Sequence, residues 1–174
     1  MLSTQTLFLA LAATAAAVDL RFYSNGGCSG GFAACTNFNP NTCCQGSNGN
    51  AFSSVACAAI PSNWNIQCRG HNGGNCNGLA QAETSNGRNT VCLSRGPFSG
   101  AGYGFAGRKR TATEQGTTAD EDCVRADRLT LEDGTEYNLT ELDQASWEKI
   151  LDAGATTATV SAMPEEFASY IIKE

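Results

Sequence analysis

The chain reads as a mainly β protein stapled by disulfides, a duplicated cysteine-rich domain followed by a small acidic α+β unit. Three observations predict this class. Eight of the nine cysteines precede residue 93, residues 21–44 recur in weakened form at 69–92, and the sign of the charge reverses at Lys109-Arg110.

An apolar stretch at 7–17 ends in Ala15-Ala16-Ala17, the small-residue pattern accepted by a signal peptidase, so 1–17 reads as an export signal. The stretch is too short for a permanent membrane helix. The chain ends on Ile171-Ile172-Lys173-Glu174 with no apolar tail for a lipid anchor, and a soluble secreted protein beginning at Val18 is expected, without a transmembrane segment.

Export leads to an oxidising compartment, where thiols pair. Cys28, Cys35, Cys43, Cys44, Cys57, Cys68, Cys76 and Cys92 are therefore expected to form four bridges of undetermined connectivity. Cys123 is left over; it bridges to the first domain, stays a thiol, or links two chains into a dimer. Zinc is disfavoured because no Cys-x-x-Cys pair occurs and His71 is the single histidine.

From Val18 to Arg110 seven Lys or Arg face two acids, a net of +5; from Thr111 onward four face fifteen, a net of −11. Such asymmetry marks two modules. The proposed organisation is a β domain at 18–107, with repeats at about 20–66 and 67–107, a linker at 108–122 and an acidic hairpin-plus-helices unit at 123–174. On that linker Lys109-Arg110 is similar to the dibasic site of kexin-type proteases, whose action would release the basic domain from an acidic propeptide; three solvated bases ending a loop is the plainer reading.

The repeat has an offset of 48 residues and nine identities, among them Cys28/Cys76, Gly30/Gly78 and Cys44/Cys92. Cys44 and Cys92 are thus expected to be equivalent, and if Cys28 pairs with Cys44, Cys76 should pair with Cys92. Residues 18–23 alternate in polarity and run into Ser-Asn-Gly-Gly, a strand followed by a turn. A Gly- and Asn-rich domain of this size buries a thin core, so bridges are needed for stability.

Beyond the linker, 128–131 and 135–139 flank Glu132-Asp133-Gly134, a hairpin signal. Thr140 with Asp143 approximates a capping box for a helix through Ala153 that carries Leu142, Trp147, Ile150 and Leu151 on one face and stops at Gly154. A last helix is expected from Pro164, grouping Phe167, Tyr170 and Ile171. Asn138-Leu139-Thr140 is a glycosylation sequon.

Tyr23-Ser-Asn-Gly-Gly-Cys28-Ser-Gly30 resembles the Greek-key signature of the βγ-crystallin superfamily, with Cys28 in place of the second aromatic; His71 to Gly78 repeats it with His71 at the first aromatic position. Gly49-Asn50-Ala51-Phe52-Ser53-Ser54 is similar to that superfamily's calcium motif. The resemblance implies a duplicated Greek-key β-sandwich, and Asn50, Ser53 and Ser54 as weak calcium ligands; a turn rich in Asn and Ser is the plainer reading, and no other cofactor is expected. The whole arrangement is similar to small secreted cysteine-rich proteins of filamentous fungi, which implies an effector, antimicrobial or cell-wall role.

For catalysis, any nucleophilic or acid–base arrangement must use His71. His71 with Glu83 and Arg69 would suit a ribonuclease-like hydrolase; a structural His71 is preferred. Asp19 and Glu83 are the only acids of the first domain and carry no glycosidase spacing. Arg69, Arg88 and Arg95 form no aromatic-interleaved cluster, against nucleic acid. The expectation is a non-enzymatic extracellular protein that interacts with a cell surface, a wall polymer or a host molecule.

Overall fold

The computed structural model describes residues 17–47, 49, 52–74, 76–107, 123–156 and 159–173. The export signal, apart from Ala17, lies outside these residues, as do Asn50, Lys109, Arg110 and the rest of the 108–122 linker. Eleven strands are described: β1 (Val18–Tyr23), β2 (Phe32–Phe38), β3 (Cys43–Gln45), β4 (Ser54–Ala58), β5 (Ile66–His71), β6 (Leu79–Thr84), β7 (Val91–Leu93), β8 (Gly100–Phe105), β9 (Cys123–Arg125), β10 (Arg128–Thr130) and β11 (Glu136–Asn138). One helix, α1 (Gln144–Thr156), and short 3-10 turns at Val160–Ala162 and Glu165–Tyr170 complete the chain.

The strands form two sheets, in the orders β11-β10-β2-β1-β4-β7 and β6-β5-β8-β3-β9, which enclose one core in a sandwich-like arrangement. Strand β1 alternates as the sequence predicts: Val18, Leu20 and Phe22 are buried inward while Asp19 and Arg21 face out. Each sheet takes three strands from one half of the 18–105 region and one from the other, since β7 joins the first sheet and β3 the second.

Four bridges form: Cys35–Cys44 and Cys57–Cys68 join the two sheets, while Cys28–Cys92 and Cys43–Cys76 each tie a hairpin to a strand of its own sheet. The conditional pairing of Cys28 with Cys44 and Cys76 with Cys92 is therefore replaced by a crossed pattern. The reason is register. In β3, Cys44 points inward and is fully buried, while Cys43 faces outward, half-buried. In β7, Cys92 is the half-buried residue between buried Val91 and Leu93. A shift of one residue in a strand exchanges its faces, so Cys43, not Cys44, occupies the position that corresponds to Cys92. Both then reach the hairpin cysteine of the other half, with Cα atoms 6.0 and 5.8 Å apart.

The segment after residue 122 is built into both sheets. Strand β9 pairs in parallel with β3, and β10 pairs antiparallel with β2. Helix α1 packs under this extension: Trp147, Ile150 and Leu151 share the core cluster with Leu129, Tyr137 and Leu139, and a Cβ on Gly154 would come within 2.6 Å of the Leu129 side chain.

The helix begins later than its sequence signals suggest. The Thr140 hydroxyl turns back to donate to Asn138 Oδ1, and Asp143 is the cap, its Oδ1 accepting the Ser146 amide at 2.8 Å. Gly154 does not stop the helix, which continues to Thr156 because the glycine serves close packing on Leu129. The last expected helix is a 3-10 helix preceded by Pro164, with Phe167 buried.

Candidate functional site

Of the residues singled out for catalysis, Arg69 and His71 share one face of β5 and Glu83 belongs to the other. In the β5–β6 ladder Cys68 lies opposite Glu83 and Arg69 opposite Ala82. Directly opposed residues share a face, and alternate residues face oppositely. Arg69 and His71 therefore lie on the outer face, while Glu83 belongs to the row of buried Cys68 and turns at the sheet edge to Arg88, 2.7 Å away. Arg69 instead donates to Gln67 Oε1 and lies over Gly104, where a Cβ would meet its guanidinium at 2.9 Å.

Of the calcium-motif residues, Ser53 is exposed and Ser54 is fully buried. The Ser54 hydroxyl accepts the Cys28 amide at 2.9 Å and donates to the Asn25 carbonyl at 2.6 Å, which pins the β1–β2 hairpin over the sheet. Ser99 does the same for the β5–β6 hairpin, accepting the Gly74 amide at 3.0 Å. These hydroxyls hold backbone, and Ser54 is a structural residue in this arrangement. Among the described residues no cluster of three His, Cys, Asp or Glu side chains could hold a metal.

A site that the linear sequence did not reveal lies on the outer face of the six-stranded sheet. Strand registers place two rows side by side there: Glu136, Thr130, Phe32, Tyr23 and Ser54 in one, and Asn138, Arg128, Ala34, Arg21 and Ala56 in the next. The Arg21 guanidinium carbon sits 4.8 Å from the Phe32 ring centroid, and Phe32 packs against Tyr23 at 5.3 Å with the rings tilted by 49°. Arg21 spends one donor on Asp19 at 3.2 Å, and Arg128 spends one on Glu136 at 2.9 Å.

Two polar atoms flanking the Phe32 ring, Arg21 Nε and Thr130 Oγ1, are buried without a hydrogen-bond partner. A guanidinium carries five donors, of which the partly exposed Arg21 gives one to Asp19. Ala34 lies between the two arginines in its row and is itself buried. Partly exposed ion pairs such as these contribute little on their own. Their arginines can exchange an intramolecular carboxylate for an external oxygen at small cost.

At the end of β9, Asp127 secures the C-terminal extension. Its carboxylate accepts the Thr36 amide at 3.2 and 3.1 Å and the Thr36 hydroxyl at 3.1 Å. Burial, the largest influence on this group, holds its pKa above the ordinary aspartate range, against the bonds from Thr36 and the charge of Arg128; nearby Asp19 pushes it up as well.

A family model described as ARB_05566_N, N-terminal domain, matches residues 19–127, more than half of the chain. The chain belongs to this family. The ARB_05566_N match opens at Asp19 and closes at Asp127, and so takes in β1 to β9, both bridged sheets and the strand that returns from beyond the linker. No curated protein and no solved structure matches the chain. The four disulfides, with no described helix long and apolar enough to span a membrane, agree with an extracellular protein.

Proposed function

We propose that this ARB_05566_N protein is a secreted, non-enzymatic binding protein that engages a cell-surface or cell-wall polysaccharide through the outer face of its six-stranded sheet. The observation that carries the reading is the Arg21–Phe32 stack, with Arg128 across Ala34 in the neighbouring row. A sheet face with an aromatic ring and two arginines suits a polymer that offers sugar C–H faces together with hydroxyl or carboxylate oxygens. The binding reading is supported by the placement of His71 and Glu83 on different faces of the β5–β6 ladder.

The scaffold is best understood as a duplicated Greek-key pair of βγ-crystallin type. In support, β5 begins and ends 48 residues after β1. Cys28 and Cys76 adopt φ of 55° and 54°, and Gly30 and Gly78 are both left-handed. Each hairpin is closed by a buried serine, Ser54 or Ser99, and each half lends its third strand to the other sheet.

Affinity electrophoresis of the secreted protein through gels containing β-glucan, soluble chitin derivatives or pectate tests the binding proposal. The wild type is expected to be retarded by at least one polymer, and Arg21→Gln with Arg128→Gln to migrate freely. Equal retardation of the variant, or none of the wild type, overturns it.

A further inference from the structure

We infer that Asn138 carries an N-linked glycan, and that the glycan stands at the border of the outer sheet face described above. Asn138-Leu139-Thr140 is the single Asn-x-Ser/Thr triplet in the sequence, and its middle residue is not proline. Asn138 is exposed at the end of β11, the last strand of the six-stranded sheet. The neighbouring residues Tyr137 and Leu139 are each 1 % exposed, so strand alternation turns the asparagine outward between two anchored neighbours. Its Oδ1 accepts the Thr140 amide at 3.0 Å and the Thr140 hydroxyl at 2.7 Å. The carboxamide nitrogen is therefore left pointing away from the turn, without a partner among the described residues.

The reaction is a group transfer from a lipid-diphosphate-linked oligosaccharide in the secretory pathway. The amide nitrogen of Asn138 forms a bond to the anomeric carbon of the first sugar and loses a proton. The bond from that carbon to the diphosphate oxygen breaks, and the lipid diphosphate leaves. In the fold Asn138 stays exposed. The C-terminal strand segment covers β11 at Tyr137, through its bridge to Ile171, and at Glu136, whose carbonyl accepts the Ile172 amide at 2.8 Å; it leaves Asn138 outside that cover.

The same geometry sets where the glycan goes. Asn138 lies in register with Arg128, and the row continues through Ala34 to Arg21, three strand spacings or roughly 14 Å from the acceptor. The sugar chain leaves from the face that bears the Arg21–Phe32 stack and borders it. The acceptor assignment does not depend on the polysaccharide reading.

Expression of Val18–Glu174 behind a yeast export signal, followed by intact-mass measurement of protein from the medium before and after endoglycosidase, tests it. The wild type and Thr140→Ser are expected to carry sugar mass that the enzyme removes. Asn138→Gln and Thr140→Ala are expected at their formula masses. Secreted wild type at its formula mass overturns the inference, as does endoglycosidase-sensitive mass that survives Thr140→Ala.

Discussion

The indole Nε1 of Trp147 donates to the carbonyl oxygen of Ala126 over 2.9 Å, and both residues are buried. The bond joins helix α1 to the turn between β9 and β10, where the chain passes from one sheet to the other. The acidic segment is thereby held on the sandwich through the core that both share.

Trp147→Phe keeps most of the apolar surface but leaves the Ala126 carbonyl buried without its donor, a loss of about 1–3 kcal/mol. Trp147→Ala adds a cavity and is expected to cost about 3–5 kcal/mol. Urea unfolding of both variants measures this. A loss near zero for Trp147→Ala would mean that α1 does not contribute to the common core.

Proteolytic cutting at Lys109-Arg110 is expected to leave a two-chain protein that elutes as one species from a native sizing column. The reason is that β9 and β10 stay paired with β3 and β2 after the cut. Separation into two free fragments without denaturant would restore the propeptide reading.

The bridges give a sharper test of register. Peptide mapping without reduction is expected to recover Cys28 linked to Cys92 and Cys43 linked to Cys76. In the simplest chain-entropy account the first of these, with a sequence separation of 64, stabilises by about 4 kcal/mol, against about 3 kcal/mol for the separation of 9 between Cys35 and Cys44. Recovery of Cys28 with Cys44 would overturn the assignment of Cys43 as the partner of Cys76.

The strand at Val18–Tyr23, the turn at Glu132-Asp133-Gly134 and the apolar face of α1 were legible because each is written in local periodicity. Adjacent Cys43 and Cys44 were not separable, since an ungapped alignment matches Cys92 to either within one residue and only cross-strand pairing decides which one faces the core. The outer-face site was illegible for a related reason. Arg21, Phe32 and Arg128 are distant in sequence, and become neighbours only through the β1–β2 and β2–β10 registers. The helix start was not legible because Thr140 and Asp143 are both cap residues by type, and only the folded turn shows Thr140 directed to Asn138 and Asp143 to the Ser146 amide.

Ser54→Ala removes the hydroxyl that serves Cys28 and Asn25, and with it a partner for a donor and an acceptor inside the folded hairpin. The expected loss is about 1–3 kcal/mol, read as a lower thermal midpoint. Calcium is expected to leave the midpoints of wild type and variant unchanged, since the motif's buried hydroxyl is committed to backbone. A calcium-dependent rise in the wild type alone would return Ser54 to the ligand role.

Asp127 sets a pH dependence whose sign follows from its environment. Its pKa in the folded protein lies above that of the unfolded chain, chiefly through burial. Between the two values the folded state holds a proton that the unfolded state has released. This contribution to stability is therefore largest at acid pH, and is lost as pH rises from about 4 through the folded value. Asp127→Asn retains a carbonyl acceptor for the Thr36 amide without the ionisation. Asp133 and Asp143 are exposed and shifted downward by backbone bonds, so they titrate in the opposite sense, but they are common to both proteins and cancel in the difference. Urea midpoints measured from pH 3 to 8 should show the variant gaining on the wild type as pH rises. A difference that stays constant with pH, or that moves toward the wild type, would place Asp127 in a charge-stabilised role in which Arg128 and Thr36 outweigh its burial.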